Sequence, residues 1–272
     1  MKLIKIIGLF CLFCITFFYT EKVINVAINQ DEIMIKIKET AKETNYKPTN
    51  AIIDNDTIIP GNVGKYIDEE ASYKAMKKIG YFEPSLIIYK DIYPEVSIYN
   101  NYNKYIIKGN IKSKSVSLIY ILSNNKTIDS LTSTINKYNI NINFFIDSSY
   151  LNNNISIIDK IKNHEIYSYG NNGIYSKDNL IISNNIINNK SNNKAIYCLF
   201  TIKNDDSLNN CANNKMLSLL VSKDDNYYTI KNTLDNGHIY LITNTKELSN
   251  IIEYILSKGY NIVSLSKLIS EA

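Results

Sequence analysis

The chain has 272 residues, of which 45% are hydrophobic and 21% charged, and its net charge is +4. This composition predicts a folded body with one large core domain and a smaller region, and it excludes an intrinsically disordered chain. The lysines are scattered among acidic residues without a long basic run, so the sequence excludes a nucleic acid from the expected partners.

The N-terminal segment, residues 1–21, carries an apolar run from Ile6 to about Tyr19, preceded by Lys2 and Lys5. We expect a signal anchor that crosses the cell membrane once, because no small-x-small cleavage site follows the run. The lysines predict a cytoplasmic N-terminus and an extracytoplasmic C-terminal domain. A cleaved signal peptide, which would release a secreted protein, is the alternative.

Residues 22–112 predict an N-terminal helix followed by a small α+β region. In the helix, expected over residues 31–45, Asp31 is the cap and Ile33, Ile37 and Ala41 recur at helical spacing. Acidic residues 68–70 open a second, short helix, and residues 86–98 are extended with a break at Pro94.

Residues 113–272 alternate between strand and helix patterns, which predicts a mainly parallel sheet covered by helices. The expected fold is a distorted (β/α) barrel of about seven strands, closed or nearly closed; a doubly wound open sheet is the alternative. The predicted strands are 116–121, 142–147, 164–169, 195–200, 216–221, 238–243 and 261–265, and the predicted helices lie near 127–138, 154–162, 177–190, 226–234 and 246–257.

Two cysteines of the exported part, Cys198 and Cys211, are candidates for a disulfide, which an oxidising compartment permits. The alternative is one buried thiol and one loop thiol. Two acidic pairs, residues 205–206 and 224–225, could offer carboxylates to Ca²⁺ or Mg²⁺, but we interpret them as solvated loop residues.

Five stretches, in order, resemble motifs of one family. They are VSLIYILSNN at 116–125 (VALTFDDGP), NINFFIDSSYL at 141–151 (ATFFVxGxxL), NHEIYSYGNNG at 163–173 (GHEIGNHTxxH), NGHIYLITNT at 236–245 (PGSIILLHD) and IIEYILSKGYNIVSLSKLI at 251–269 (IIxxLKxKGYxFVTLxEL). They resemble the polysaccharide deacetylase family, whose NodB-homology domain is a carbohydrate esterase fold. Residues 56–82, DTIIPGNVG…SYKAMKKIGYF, also resemble the extracytoplasmic part of some membrane-anchored Firmicute members of this family.

The resemblance implies a degenerate member, because the family's catalytic positions carry other residues here. The family binds zinc or a similar divalent cation through one aspartate and two histidines, and a second aspartate is the general base. The aspartates correspond to Ile121 and Leu122, the metal-binding histidines to Tyr169 and Gly173, and the general-acid histidine to Thr243. We therefore expect no cofactor, no metal and no catalytic residue. We interpret His164 as a structural histidine at the start of a strand and His238 as a loop residue.

The expected function is that of an exported, non-catalytic pseudoenzyme at the cell surface, with a glycan or peptidoglycan as possible partner. The candidate groove consists of Asn124, Tyr169, Asn171, Thr243 and Asn244, with Ile121, Tyr169 and Thr243 drawn together in place of the metal. The alternative is an active, metal-dependent deacetylase of N-acetylated glycan, a hydrolase of C–N bonds with an altered site. A purely structural surface protein is a third hypothesis, and the sequence does not predict the oligomeric state.

Overall fold

The computed structural model describes residues 2–124, 127–223 and 225–272, without the side chains of residues 2–11 and 21. The helices are α1 (Lys2–Gln30), α2 (Glu32–Thr44), α3 (Glu69–Lys77), α4 (Ile128–Tyr138), α5 (Ser148–Asn153), α6 (Ile157–Ile161), α7 (Lys177–Lys190), α8 (Asp205–Asn213), α9 (Tyr227–Thr233), α10 (Leu248–Ser257) and α11 (Leu265–Ile269), with 3₁₀ turns at Pro84–Leu86, Ile98–Asn100 and Thr245–Glu247. The strands are β1 (Ile52–Asp54), β2 (Thr57–Ile59), β3 (Gly64–Ile67), β4 (Tyr89–Ile92), β5 (Tyr105–Ile106), β6 (Ser115–Leu122), β7 (Asn143–Ile146), β8 (Glu165–Ser168), β9 (Tyr197–Phe200), β10 (Leu217–Leu220), β11 (Ile239–Leu241) and β12 (Asn261–Ile262).

The chain divides into two compact units, and each is discontinuous in sequence. The first comprises Met1–Pro48 and Val63–Tyr93, and the second comprises Thr49–Asn62 and Pro94–Ala272. The predicted boundary at 112/113 therefore differs from the observed division, since residues 49–62 and 94–112 belong with the C-terminal part. The physical reason is that β1, β2 and β5 continue one of its sheets.

In the first unit, the helix predicted over residues 31–45 is present as α2. The Asp31 side chain accepts a hydrogen bond from the Ile33 amide and so caps the helix. Ile33, Ile37 and Ala41 form the buried face, packed with Ile67 of β3 and Met76 of α3. Strands β3 and β4 form a two-stranded antiparallel sheet.

The membrane span predicted within residues 1–21 falls in α1, where part of the side chains lies outside the described residues. Across the described part of the chain, no helix is both long enough and apolar enough to cross a bilayer.

In the second unit, the described residues after 112 contain seven strands, as predicted, arranged in two ladders. One ladder has the order β11–β6–β7–β8, with β12 also paired to β6, and all its pairs are parallel. The other has the order β1–β2–β5–β10–β9 and is parallel except at the β1–β2 hairpin. Within the described ranges β8 and β9 do not pair, so the structure is an α/β fold of two parallel sheets and no closed barrel is seen.

Side chains, rather than strand pairing, provide hydrogen-bond partners for backbone groups on the facing edges of β8 and β9. The Asn193 amide accepts from the Ile166 N–H and donates to the Ile166 carbonyl, at 2.9 Å each. The Tyr175 hydroxyl accepts from the Leu199 N–H at 2.7 Å and lies 3.1 and 3.2 Å from the Ser168 and Leu199 carbonyl oxygens. Buried backbone groups need such partners, so these two side chains allow the sheets to separate here.

Alternating residues of β6 enter two different cores. Val116, Leu118 and Leu122 pack under the outer helices α4 and α10. Ile119 and Ile121 point the other way, into an inner core that both sheets share. This shared core also excludes the single open sheet considered above. It fills the interior with side chains, so a ligand can reach this unit only at its surface or at the ends of its strands.

The buried carboxylate of Glu271 joins distant parts of the second unit. It accepts hydrogen bonds from the Gly61 N–H at 3.0 Å, from the Ile98 N–H at 3.1 Å and from the Ser97 hydroxyl. These bonds fasten the segment after β2 and the 3₁₀ turn at Ile98–Asn100 to the C-terminal residues.

Candidate functional site

A cleft lies at the carboxyl ends of β8 and β9, with a volume of about 240 Å³. Its first wall is the loop after β8, with Tyr169 and residues 172–174. Its second wall is the segment after β9, Thr201–Asn204. The carboxyl ends of parallel strands are the usual place for ligands in α/β folds, because the loops there converge.

Tyr169 and Gly173 are paired across the first wall. The ring of Tyr169 is 9% exposed, and its hydroxyl lies close to the Thr201 side chain. Burial raises the pKa of this hydroxyl, and the charge of Asp147 acts in the same direction, so Tyr169 stays a neutral phenol. Gly173 has a φ of +81°, and a Cβ there would lie 3.1 Å from the Tyr169 hydroxyl oxygen. The tyrosine thus occupies space that a side chain at residue 173 would need.

The predicted disulfide between Cys198 and Cys211 is present, with the two Cα atoms 6.5 Å apart. Cys198 lies in β9 and Cys211 in α8, a helix that was not predicted from the sequence. The bridge closes the segment that contains Thr201–Asn204, so it braces the second wall of the cleft.

The structure brings together only part of the predicted groove. Tyr169 lines the cleft, but the other members of the predicted set are not among its lining residues. Asn171 lies exposed on the same loop, and Asn124, Thr243 and Asn244 are exposed beyond β6 and β11. Asn244 caps the turn Thr245–Glu247 instead, by accepting from the Lys246 N–H.

The residues at the family's aspartate positions do not line the cleft either. Leu122 is fully buried in the outer core under α4, and Ile121 packs on the inner core. Ile121 and Tyr169 belong to the same inner core, and their meeting with Thr243 stays a prediction.

Comparison with known proteins gives the fold. No family model matches the chain. A search of curated proteins finds 29% identity with the uncharacterized protein YlxY of Bacillus subtilis strain 168 over 147 residues, or 53% of this chain and 46% of YlxY. The chain thus spans about half the length of the curated relative it matches.

Solved structures match over more of the chain. The wild-type protein BA3943 of Bacillus anthracis, a family 4 carbohydrate esterase (CE4) pseudoenzyme, superposes with a TM-score of 0.64 at 21% identity, over 89% of this chain and 96% of that one. PdaA of Bacillus subtilis, a family 4 carbohydrate esterase, superposes with a TM-score of 0.52 at 16% identity. The match covers 63% of this chain and 86% of PdaA. The chain has the CE4 fold. The predicted resemblance to polysaccharide deacetylases is thereby confirmed for the fold.

The residues that the motif resemblance aligns with the family's metal ligands do not fit a zinc ion. Zinc needs about three ligands from nitrogen, sulfur or carboxylate oxygen. Ile121 and Leu122 are aliphatic, Gly173 has no side chain, and Tyr169 is held as a neutral phenol. In the described ranges there is also no group of three or more His, Cys, Asp or Glu that could hold an ion.

Both histidines lie at the opposite end of the CE4 fold from the cleft. His164 immediately precedes β8 and His238 precedes β11. Burial lowers the pKa of each. Burial lowers the pKa of His238 most, and the charge of Lys108 lowers it further. The charge of Asp235 opposes both, and the pKa is about 4. Its ring stacks on Tyr240 with 4.2 Å between centroids, so it is placed as a structural residue.

The structure describes three of the four residues in the two acidic pairs, and each of the three has a structural position. Asp205 and Asp206 are exposed in the first turn of α8, where acidic side chains stabilise a helix. Asp224 lies outside the described residues. Asp225 is 2% exposed and accepts from the Leu241 N–H at 2.8 Å, so the interpretation as a solvated loop residue is wrong for it.

One residue that lies at the cleft end of the fold was not identified from the sequence. Asp147 follows β7, is 7% exposed, and caps α5, a helix that was not predicted. Burial alone would raise the pKa of this carboxyl, but hydrogen bonds led by Ser149 and the Asn172 amide outweigh it, and the pKa is lowered. The signal was available, because an aspartate directly before two serines at the end of an apolar strand is typical of a helix N-cap.

Proposed function

We propose that the chain is an exported, non-catalytic relative of the polysaccharide deacetylases that binds an N-acetylated glycan of the peptidoglycan type in the cleft. The observation that carries the proposal is the pairing of Tyr169 with Gly173. At the two positions that the resemblance aligns with metal-binding histidines, one residue is a buried neutral phenol and the other is a glycine that the phenol crowds.

The chemistry of the cleft suits a neutral, hydroxyl-rich ligand. Among the described residues that line the cleft, Lys203 is the only lysine. It is paired with Asp56 at 2.8 Å, so little net positive charge remains for an anion. Ile174 and Ile202 are 60% and 69% exposed at the rim. A few polar groups beside exposed aliphatic surface match the alternating hydroxyl and apolar faces of a sugar and the methyl group of an acetamide.

Export is part of the proposal and is supported by the disulfide, since such bonds persist in oxidising compartments. We retain the N-terminal segment as the proposed single-pass membrane anchor, with secretion as the alternative. Among similar structures, a CE4 pseudoenzyme covers most of this chain. That likeness supports a non-catalytic protein of this fold.

The test combines metal content, acetate release and binding of the purified protein. We expect substoichiometric zinc by elemental analysis, no acetate release from chitooligosaccharides or peptidoglycan, and measurable binding of triacetylchitotriose by calorimetry. Changing the rim residues, Ile174→Ala and Ile202→Ala, should weaken binding. Ile111→Ala is a matched control, because Ile111 is 41% exposed but lies in the loop before the amino end of β6.

Stoichiometric zinc together with acetate release that a chelator abolishes would contradict the proposal and favour an active deacetylase with an altered site. Absence of binding to every N-acetylated glycan tested would instead favour a structural surface protein.

A further inference from the structure

The loop Tyr169–Ile174, the first wall of the cleft, has an unusual backbone. Gly170, Asn172 and Gly173 all have positive φ, at 64°, 50° and 81°. Non-glycine residues adopt this conformation rarely; asparagine tolerates it better than most, and it persists where the surroundings fix it. The loop therefore needs contacts that hold it in this form.

Asp147 supplies a side-chain contact to the loop from outside it. Its Oδ2 accepts a hydrogen bond from the Asn172 N–H at 2.8 Å, across 25 residues of sequence. Its Oδ1 accepts from the Ser149 N–H at 2.9 Å, from the Tyr150 N–H at 3.2 Å and from the Ser149 hydroxyl. One carboxylate thus has two separate tasks, one on the loop and one on α5.

Ser148, the next residue, adds further hydrogen bonds to the same loop. The Ser148 N–H donates to the Gly170 carbonyl at 2.7 Å. Its hydroxyl accepts from Ser183 at 2.8 Å and lies 3.3 Å from the Ser168 hydroxyl, which in turn accepts from the Gly170 N–H. These contacts join the end of β8, the start of α5 and the middle of α7 beneath the loop.

We propose that Asp147 is a positioning residue that fixes the loop Tyr169–Ile174 and so preorganises the cleft in the absence of a metal ion. In the family this loop carries the two histidines that a cation holds, and here the residues do not fit a cation. The Asp147 carboxylate orders the loop through its backbone and leaves the Tyr169 hydroxyl to the cleft. The binding part of this inference rests on the proposed glycan function, but the structural part does not.

The variant Asp147→Asn separates the two tasks. Asparagine is as good an N-cap as aspartate, so its oxygen should keep the contacts with the Ser149 and Tyr150 amides. The other atom becomes an NH₂ group, which cannot accept from the Asn172 N–H. Only the loop contact should be lost. Asp178→Asn, at an exposed site in the first turn of α7, is the matched control.

Hydrogen exchange measured by NMR on the full chain tests the structural part. We expect the Asn172 amide to exchange at least about tenfold faster in Asp147→Asn, because a hydrogen bond to a charged acceptor is lost. The Ser149 and Tyr150 amides should keep their protection, and Asp178→Asn should behave as wild type. Unchanged exchange at Asn172, or an equal loss in α5, would overturn the inference. If Asp147→Asn does not fold, Asp147→Ser keeps a capping oxygen on a shorter side chain, and the same comparison applies.

Calorimetry with triacetylchitotriose tests the consequence for binding. We expect Asp147→Asn to weaken binding about tenfold while Asp178→Asn leaves it unchanged. Equal affinity of Asp147→Asn and wild type would overturn the positioning role. If the wild-type protein does not bind, the glycan proposal fails, and hydrogen exchange at Asn172 still decides whether Asp147 orders the loop.

Discussion

Tyr175 closes the gap between β8 and β9, and removing its hydroxyl should destabilise the second unit. In Tyr175→Phe the ring, which is 1% exposed, keeps its packing on Phe200, 5.3 Å away between centroids. The oxygen atom that accepts from the Leu199 N–H disappears. That N–H points away from β10, toward the gap, and has no neighbouring strand there.

The magnitude follows from the contacts of this one oxygen. A buried N–H without a partner costs about 1–3 kcal/mol, and loss of the bond from the hydroxyl to one of the two carbonyls costs about 1 kcal/mol. The expected loss in the free energy of unfolding is therefore about 2–4 kcal/mol. With a urea slope of about 2–3 kcal/mol per molar, the unfolding midpoint should fall by about 1 M.

The assay is urea unfolding of the full chain, followed by tyrosine fluorescence and circular dichroism. Tyr228→Phe is the control, because Tyr228 is 73% exposed. The free energy of unfolding of this variant should stay within about 0.5 kcal/mol of wild type. A stability of Tyr175→Phe within that same margin would refute the reasoning. It would mean that water or a shift of the strands replaces the hydroxyl at no cost.

Three further predictions concern other parts of the second unit. Replacing Cys198 and Cys211 by alanine should lower the free energy of unfolding by about 3 kcal/mol, and a reductant should then have no further effect on thermal unfolding. Glu271→Ala should cost about 3 kcal/mol in urea unfolding, because it leaves the Gly61 and Ile98 amides buried without an acceptor. In the folded chain the pKa of His238 is lowered from 6.5 to about 4, so the unfolded chain binds the proton more readily. The free energy of unfolding should therefore fall as the pH drops from about 6.5 to about 4. His238→Gln should flatten this pH dependence. A slope that persists unchanged in His238→Gln would contradict the assignment.

The sequence predicted the elements that depend on local patterns. All seven strands after residue 112 were located, because apolar runs and their flanking turns are visible within about ten residues. The disulfide was also predicted, since only two cysteines lie outside the apolar N-terminal segment. In the site, Tyr169 and Gly173 were identified through motif resemblance, which fixes positions along the chain but not how loops converge.

What the sequence did not predict depends on contacts between distant residues. The pairing of Tyr105 with Ser218 joins β5 to β10 across more than 100 residues, and no local pattern specifies it. The segment Thr201–Asn204 carries no motif, and it lines the cleft because β9 ends beside β8. Asp147 shows an N-cap pattern, but its bond to Asn172 exists only once β7 and β8 are paired.

The discontinuous division of the chain has a practical consequence for producing fragments. A fragment that starts at residue 113 would contain the five motifs of residues 116–269 but would lack β1, β2 and β5. Strand β10 would keep β9 but lose β5 and become an unprotected edge, and Glu271 would lose all three donors that satisfy it. An exposed edge strand pairs readily with other chains, so this fragment should aggregate although it keeps the whole of the cleft. A single proteolytic cut would not separate the two units, because residues 49–62 of the second unit lie in sequence between the two segments of the first.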